Sequence, residues 1–194
     1  MITTPQAPEI PGAKHIHSGK VRDLYELDSG DLLMVASDRM SAFDWILESL
    51  IPDKGKVLNR MSVFWFGLTE DIVPNHFISE DVPEEVAERA MRVRKLEMYP
   101  VECIVRGYLT GSGWKEYQRD GRVCGIALPS GLKDGSKLEP AIFTPATKND
   151  VGHDENISFE RMVEITGRET AEALRTRSLA IYEEARAIAW DRGL

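Results

Sequence analysis

One stretch of the chain decides the fold: Val101-Glu102-Cys103-Ile104-Val105-Arg106-Gly107-Tyr108-Leu109-Thr110-Gly111-Ser112-Gly113-Trp114-Lys115. Its apolar first part, 101–105, predicts a strand, and the glycines after it predict a turn that opens a short helix at Trp114. Ser112 is the expected N-cap of that helix. Free turn amides, the Ser112 hydroxyl and the Arg106 guanidinium would together form a site for a phosphate monoester. A capped helix beside a surface arginine is the alternative, and this stretch alone does not separate the two.

Composition excludes several classes of partner. The 194 residues suffice for one large domain or two small ones, and the net charge is -8. A chain with no basic excess is unsuited to a nucleic-acid backbone. Apolar runs are shorter than the ~20 residues that cross a bilayer, and the polar, Pro-rich N-terminus does not resemble a signal peptide. We therefore expect a cytoplasmic protein without nucleic-acid or membrane partners.

The two cysteines carry little information. Cys103 lies in the predicted strand and Cys124 follows a turn. The absence of a CxxC spacing argues against a metal or redox motif, and reduced thiols are the default, although the sequence leaves a disulfide open.

The first half of the chain is predicted to be rich in strands. An edge strand over 14–17 and a hairpin around Asp28-Ser29-Gly30 are the clearest elements. Further strands are expected over 43–49 and 92–97. A helix is expected over 58–72, with one apolar face and Pro74 as its end. That face comprises Leu58, Met61, Trp65, Leu68 and Ile72.

The second half is predicted to turn from loops to helices. Glycines at 121, 125, 131 and 135 allow short strands at most. Ser158 is the expected N-cap of a helix that runs to Ile165 and stops at Gly167. A longer amphipathic helix is expected over 169–192, with Gly193 after its end. Its apolar stripe comprises Leu174, Ser178, Ile181, Ala185 and Ile188.

These elements predict an α+β fold with two lobes. A small antiparallel β lobe occupies residues 1–100, and the beginning of a larger α/β lobe occupies residues 101–194. The break at Tyr99-Pro100 is the expected hinge between them.

Four polar clusters are candidates for chemistry. Lys20 and Arg22 flank a glycine turn that lacks the P-loop spacing but could cover a triphosphate; a solvated basic strand face is the alternative. The segment 37–44 is a dense polar cluster after an apolar strand, and 51–56 is a turn with two cations. The fourth, 143–156, places Lys148 among acids and amides, which suggests an ammonium oriented towards an anionic substrate, and its His-Asp-Glu run fits no standard zinc spacing.

Taken together, the clusters resemble one family. They appear in order as Gly19-Lys20-Val21-Arg22-Asp23-Leu24-Tyr25, Ser37-Asp38-Arg39-Met40-Ser41-Ala42-Phe43-Asp44, Ile51-Pro52-Asp53-Lys54-Gly55, Val105 to Trp114, Thr144-Pro145-Ala146-Thr147-Lys148 and His153-Asp154-Glu155-Asn156-Ile157-Ser158. This set is similar to phosphoribosylaminoimidazole-succinocarboxamide synthase, or SAICAR synthetase, of purine biosynthesis.

The resemblance implies an ATP-dependent C–N ligase. CAIR, an aminoimidazole ribonucleotide carboxylate, would be joined to L-aspartate to give SAICAR, ADP and phosphate. The implied route phosphorylates the CAIR carboxylate, and the aspartate amine then attacks the acyl phosphate, with ATP and Mg²⁺ as cofactors.

The resemblance also implies roles for individual residues. The implied ATP contacts are Gly19, Lys20, Arg22, Lys95, Val101 and Glu102. The implied substrate contacts are Asp38, Arg39, Ser41, Lys54, Arg106, Gly111 and Ser112. Lys148, Asp150 and Asp44 would face the reacting groups.

The family pattern continues beyond Leu194 into a strand that carries an Asp-x-Lys-x-Glu-x-Gly motif, and we expect the magnesium carboxylates there. The chain alone would then be weakly active or inactive, and its last helix would expose Leu174, Ile181 and Ile188, favouring a homo-oligomer or a complementary C-terminal segment. Two alternatives remain at this point: a nucleotide-binding or assembly fragment without catalysis, and a small-molecule kinase. The kinase would account for Lys20 and Arg22 but not for 106–114.

Overall fold

The protein consists of two compact units, Met1–Glu97 and Met98–Leu194. The structure, a computed structural model, describes residues 7–42, 45–148 and 154–193. Every strand ladder in these ranges is antiparallel, and helices occur in both units. The predicted α+β class is confirmed.

A five-stranded sheet forms the centre of the first unit. Along the chain, the unit contains β1 Ala13–Ser18, β2 Arg22–Leu27, β3 Leu32–Ala36, β4 Ser41–Ala42, β5 Trp45–Ile46, α1 Lys54–Leu68, β6 Phe77–Ser79, a 3₁₀ turn Glu84–Val86 and β7 Ala90–Val93. The sheet order is β1-β2-β3-β7-β6, and β4 pairs with β5 in a separate small ladder. The predicted edge strand is β1.

The hairpin of β2 and β3 follows from its turn residues and its alternating pattern. Gly30 has a φ of +86°, a conformation that glycine adopts without strain, and the Leu27 amide donates to Asp31 O at 3.0 Å. Tyr25 on β2 and Leu33 on β3 face the core and are fully buried. Both predicted strands are confirmed.

The other predictions for this unit need correction. Among the described residues of 43–49 only the two-residue strand β5 forms. Helix α1 begins and ends four residues earlier than predicted, at Lys54 and Leu68, and its fully buried positions are Gly55 and Asn59. Of the predicted apolar face, Leu58, Trp65 and Ile72 are half-buried, whereas Met61 and Leu68 are exposed. Asn59 is buried because its side-chain amide donates a hydrogen bond to the Ala90 carbonyl of β7 at 3.2 Å. The strand predicted over 92–97 is β7, displaced towards the N-terminus.

Over its described residues, the second unit contains short ladders and three helices. Its elements are β8 Val101–Glu102, β9 Val105–Leu109, α2 Gly111–Asp120, β10 Arg122–Val123, β11 Ile126–Ala127, β12 Ser136–Phe143, β13 Ala146–Thr147, α3 Phe159–Thr166 and α4 Arg168–Trp190. The pairs are β8 with β13, β9 with β12, and β10 with β11. The single strand predicted over 101–105 is wrong, because the chain changes partners between β8 and β9.

The helical predictions here are mostly confirmed. Ser158 caps α3 by accepting a hydrogen bond from the Arg161 amide at 3.1 Å, and Gly167 ends that helix. Helix α4 agrees with the predicted long helix to within two residues at each end. Leu174 packs against a core that includes Phe143 and Met162, so its predicted exposure is wrong.

The same prediction fails for the rest of the stripe on α4. Ile181 and Ile188 are half-buried, and the large apolar side chain that this helix exposes is that of Trp190.

Candidate functional site

A buried ion pair fixes the glycine turn between β1 and β2. The Arg39 guanidinium donates to Asp23 Oδ1 at 2.8 Å, and the two side chains are 3% and 1% exposed. Arg39 also donates to the Gly19 and Lys20 carbonyls, at 3.2 and 3.3 Å. The Ser18 hydroxyl completes the cluster by donating to Asp23 Oδ1 at 2.7 Å. A buried ion pair therefore fixes the conformation of this turn from its core side.

This arrangement changes the role expected for Arg39. A guanidinium that is nearly inaccessible to solvent and already bonded to three oxygens is not available to a substrate. Arg39 positions the turn, whereas the side chains of Lys20 and Arg22, above it, are exposed.

Asp38 likewise acts within the protein. Its Oδ1 accepts from the Gly55 amide at 2.8 Å and its Oδ2 from Arg89 at 3.3 Å, which attaches the first turn of α1 to the end of β3. Burial alone would raise the pKa of Asp38, but the bonds from the Gly55 amide and Arg89 outweigh it and lower that pKa. Both carboxylate oxygens thus have protein partners and Asp38 anchors α1, while its predicted substrate contact stays a prediction.

The remaining predicted residues of the first unit are spread over separate elements. Ser41 lies in β4, and the half-buried Lys54 opens α1. Lys95 follows β7 and its ammonium donates to Glu26 Oε1 at 2.6 Å. This hydrogen bond lowers the pKa of Glu26. Asp44 lies outside the described residues.

In the second unit, the residues predicted to bind a phosphate lie together at the start of α2. Arg106 on β9 donates to the Ser112 hydroxyl at 2.8 Å and to the Thr110 carbonyl at 3.4 Å. A Cβ added at Gly113 would lie 3.1 Å from Arg106 Nε, so the guanidinium lies directly on the helix backbone. Gly111 opens the helix with a φ of +59°.

The N-terminal prediction for α2 is wrong in detail. The helix begins at Gly111 and its N-cap residue is Thr110, so Ser112 lies inside the first turn. Within the part of the chain that the structure describes, Thr110 makes no side-chain capping bond, and the buried Arg106 Nε has no acceptor. Helix amides without a side-chain cap and a guanidinium with a spare donor favour an anion at this position.

A hydrogen-bonded chain that no sequence pattern predicted extends from the start of α2. Ser112 Oγ lies 3.5 Å from Asn156 Oδ1, and the Asn156 amide donates to Glu116 Oε2 at 2.9 Å. Glu116 Oε1 then accepts from the Cys124 amide at 2.9 Å. Asn156 belongs to a quoted motif, but no local signal marks Glu116, whose partner Asn156 is 40 residues away.

Lys148 forms the second cluster of this unit. Its ammonium donates to Glu102 Oε1 at 2.6 Å and to Asp154 Oδ2 at 3.2 Å. The hydrogen bond to Glu102, followed by that to Asp154, raises the pKa of Lys148. The antiparallel β8–β13 ladder, which includes Val101, brings Glu102 and Lys148 together. Asp150 lies outside the described residues.

Neither cysteine thiol belongs to the clusters described above. Cys103 and Cys124 are free thiols, so the disulfide that the sequence left open is not formed. Burial raises the pKa of Cys124 to about 12, which keeps that thiol protonated. In ranges 7–42, 45–148 and 154–193, no helix is long and apolar enough to cross a membrane, and no three His, Cys, Asp or Glu side chains gather at a metal-binding distance.

A family model described as SAICAR synthetase matches residues 15–194. The chain belongs to the SAICAR synthetase family. It is 54% identical to phosphoribosylaminoimidazole-succinocarboxamide synthase of Thermobifida fusca, in an alignment that covers 100% of this chain and 64% of the relative. The enzyme of the same name from Streptomyces coelicolor is 51% identical, with 100% and 66% covered. The chain thus spans slightly less than two thirds of the length of these curated relatives.

Solved structures of the family have the same fold. The SAICAR synthase of Saccharomyces cerevisiae, solved as a complex with SAICAR, superposes with a TM-score of 0.87 at 36% identity, over 97% of this chain and 67% of that one. A type-2 SAICAR synthetase in complex with ADP gives a TM-score of 0.74 at 26% identity, over 91% and 69%. Membership in the SAICAR synthetase family, expected from the motifs, is confirmed.

Proposed function

We propose that this protein joins L-aspartate to CAIR in an ATP-dependent reaction of purine biosynthesis in the cytoplasm. The products are SAICAR, ADP and phosphate. ATP phosphorylates the CAIR carboxylate, and the aspartate amine displaces phosphate from the acyl phosphate. Family membership supports the reaction class, and the relatives solved with SAICAR and with ADP support the ligand classes.

The observation that carries the proposal is the contact of Arg106 with the first turn of α2. The Arg106 guanidinium lies 2.8 Å from Ser112 Oγ and has a spare buried donor. Amides of Gly111 and Ser112 at the helix start add positive partial charge. Such a set of donors matches a dianionic phosphate, and CAIR carries one on its ribose. We therefore assign the ribonucleotide phosphate to this turn.

ATP is assigned to the glycine turn of the first unit. The buried Asp23–Arg39 pair holds the Gly19 and Lys20 carbonyls inward, and Lys20 and Arg22 present cations on the outside of the same turn. Those cations would neutralise the triphosphate. Lys95 and the β8 residues Val101 and Glu102 are proposed to contact the adenosine.

Lys148 is proposed to act as a fixed cation towards the reacting groups. Its raised pKa keeps it protonated at neutral pH, so it stabilises negative charge and does not act as a base or a nucleophile. Asp44 and Asp150 are proposed to contact the same groups, as are Ser41 and Lys54.

Magnesium belongs to the proposed chemistry, where it would share the negative charge of the ATP phosphates. Where the structure describes the chain, no three His, Cys, Asp or Glu side chains gather at a metal-binding distance. The roles proposed for phosphate binding and charge stabilisation belong to the cations and backbone amides of the chain itself.

Calorimetry with two variants tests the assignment. Arg106→Ala should weaken CAIR binding by about 2 kcal/mol, roughly 30-fold, because a charge-assisted bidentate contact is lost. It should leave ATP affinity nearly unchanged. Arg119→Ala is the matched control, since Arg119 lies in the last turn of α2, at the end away from the proposed site, and pairs with the adjacent Asp120.

The reciprocal variant, Lys20→Ala, should weaken ATP binding and spare CAIR. CAIR binding that is indifferent to Arg106→Ala, or equal losses of both ligands in either variant, would show that the phosphates are assigned wrongly. ADP release that depends on aspartate then distinguishes a ligase from a kinase, which releases ADP without it, and from a binding fragment, which releases none.

A further inference from the structure

A hydrogen-bonded chain with a single direction runs from Arg106 to Glu116. The Arg106 guanidinium donates to Ser112 Oγ at 2.8 Å, and the Ser112 hydroxyl donates its proton to Asn156 Oδ1 at 3.5 Å. The Asn156 amide donates in turn to Glu116 Oε2 at 2.9 Å. Ser112 and Glu116 lie one helical turn apart on α2, so Asn156 can contact both. The chain therefore connects the arginine assigned to the ribonucleotide phosphate with a carboxylate.

Glu116 fixes the direction of this chain. A carboxylate offers only acceptors, so Asn156 turns its NH₂ group towards Glu116 and its oxygen towards Ser112. An amide oxygen cannot donate, so the Ser112 hydroxyl is the donor. The other carboxylate oxygen, Oε1, cannot change this order, because it accepts from the backbone amide of Cys124 at 2.9 Å and a backbone N–H is always a donor.

This direction takes one hydrogen-bond donor away from the phosphate. Ser112 Oγ accepts from Arg106, and its proton points towards Asn156. A phosphate oxygen at the start of α2 can accept this proton only after the bond to Asn156 breaks. That bond is long at 3.5 Å and therefore weak, so the competition lowers phosphate affinity moderately and does not prevent binding.

We propose that Glu116 is a positioning residue that lowers the affinity of this site for the ribose phosphate, because it holds the Ser112 proton away from the phosphate through Asn156. The inference rests on the function proposed above. In that reaction the phosphate of CAIR takes no part and is carried unchanged into SAICAR. Affinity for this group holds the product as firmly as the substrate and does not speed the chemical step. A restrained phosphate contact therefore favours the release of SAICAR.

Glu116→Gln tests the proposal because it reverses the chain. The glutamine oxygen still accepts from Cys124, so the glutamine NH₂ group faces the NH₂ group of Asn156. Two donors cannot bond, so the Asn156 amide turns over and donates to Ser112 Oγ, which frees the Ser112 proton for the phosphate. We expect calorimetry to show CAIR and SAICAR bound about three- to tenfold more tightly than by wild type, the contribution of one hydrogen bond.

Further variants separate the direction of the proton from the effect of charge. Asn156→Ala removes the acceptor of the Ser112 proton and keeps the Glu116 carboxylate, so CAIR should again bind more tightly, by about twofold or more. In a Ser112→Ala background, Glu116→Gln should lose most of its gain, since no hydroxyl proton remains to be redirected. Asp120→Asn is the matched control: it removes one negative charge from the last turn of α2, outside the chain, and should leave CAIR affinity unchanged.

The outcomes distinguish this inference from the proposed function. A wild-type chain that does not bind CAIR, or an Arg106→Ala chain with full CAIR affinity, overturns both. If Arg106→Ala weakens CAIR binding as expected, weaker or unchanged binding by a folded Glu116→Gln chain overturns the inference alone. An undiminished gain in the Ser112→Ala background does the same, because the lost charge would then explain it. Circular dichroism establishes that each variant is folded, and Asn156→Ala decides the question in place of a Glu116→Gln chain that does not fold.

Discussion

Replacing Arg39 by methionine should destabilise the first unit and loosen its glycine turn. Arg39 is 3% exposed and bonds Asp23 at 2.8 Å, as well as the Gly19 and Lys20 carbonyls. Methionine fills most of the volume of the arginine side chain. It leaves the Asp23 carboxylate in the core with only the Ser18 hydroxyl as a hydrogen-bond donor. An uncompensated buried charge typically costs about 3–5 kcal/mol. We expect a loss of that size in the free energy of opening of β2 and β3.

Hydrogen exchange followed by mass spectrometry measures this loss where it occurs. Amides of β2 and β3 report the opening of the first unit, and those of β9 and β12 serve as an internal reference in the second. The paired carbonyls should also be released, so ATP affinity should fall together with stability. Asp23→Asn in the Arg39→Met background should recover about half of the loss, because the unpaired charge is gone. The reasoning would be refuted by a free energy of opening of β2 and β3 that rises, or that falls by less than about 1 kcal/mol.

Two further outcomes follow from the junction of α1 with β3. Gly55→Ala should lower the free energy of unfolding by about 1–3 kcal/mol in urea titrations, because its Cβ would lie 2.3 Å from the Ala36 carbonyl oxygen. Gly67→Ala is the control: this position faces open space on the same helix, so the substitution should be neutral or stabilising by about 0.5–1 kcal/mol. Equal losses in the two variants would contradict the steric argument. The pKa of Asp38 is lowered from 3.8 in the folded state, so Asp38 stabilises the protein fully above that value and loses its contribution as the pH falls through the folded pKa. Asp38→Asn should therefore flatten the acid side of the stability profile, and an unchanged slope below pH 3.8 would contradict the anchoring role.

Local patterns predicted the parts of the structure that depend on neighbouring residues. The hairpin at Asp28-Ser29-Gly30 and the cap at Ser158 were correct, because turn and cap chemistry act over three or four residues. The apolar face predicted for α1 is only partly buried, with Met61 and Leu68 exposed, because Gly55 and Asn59 take the most buried positions. The inner face contains Asn59, which bonds a strand carbonyl 31 positions further along the chain.

The motifs by themselves determined the family and the identity of most candidate residues, because those residues are short, ordered runs of fixed chemical type. Tertiary structure decided which of them point outward. It placed Arg39 and Asp38 in bonds to distant residues, left Lys20 and Arg22 exposed, and connected Ser112 to Glu116 through Asn156. These distinctions depend on contacts between segments that are far apart in the chain. A short stretch of sequence does not contain those contacts, so it cannot predict which of its side chains are buried.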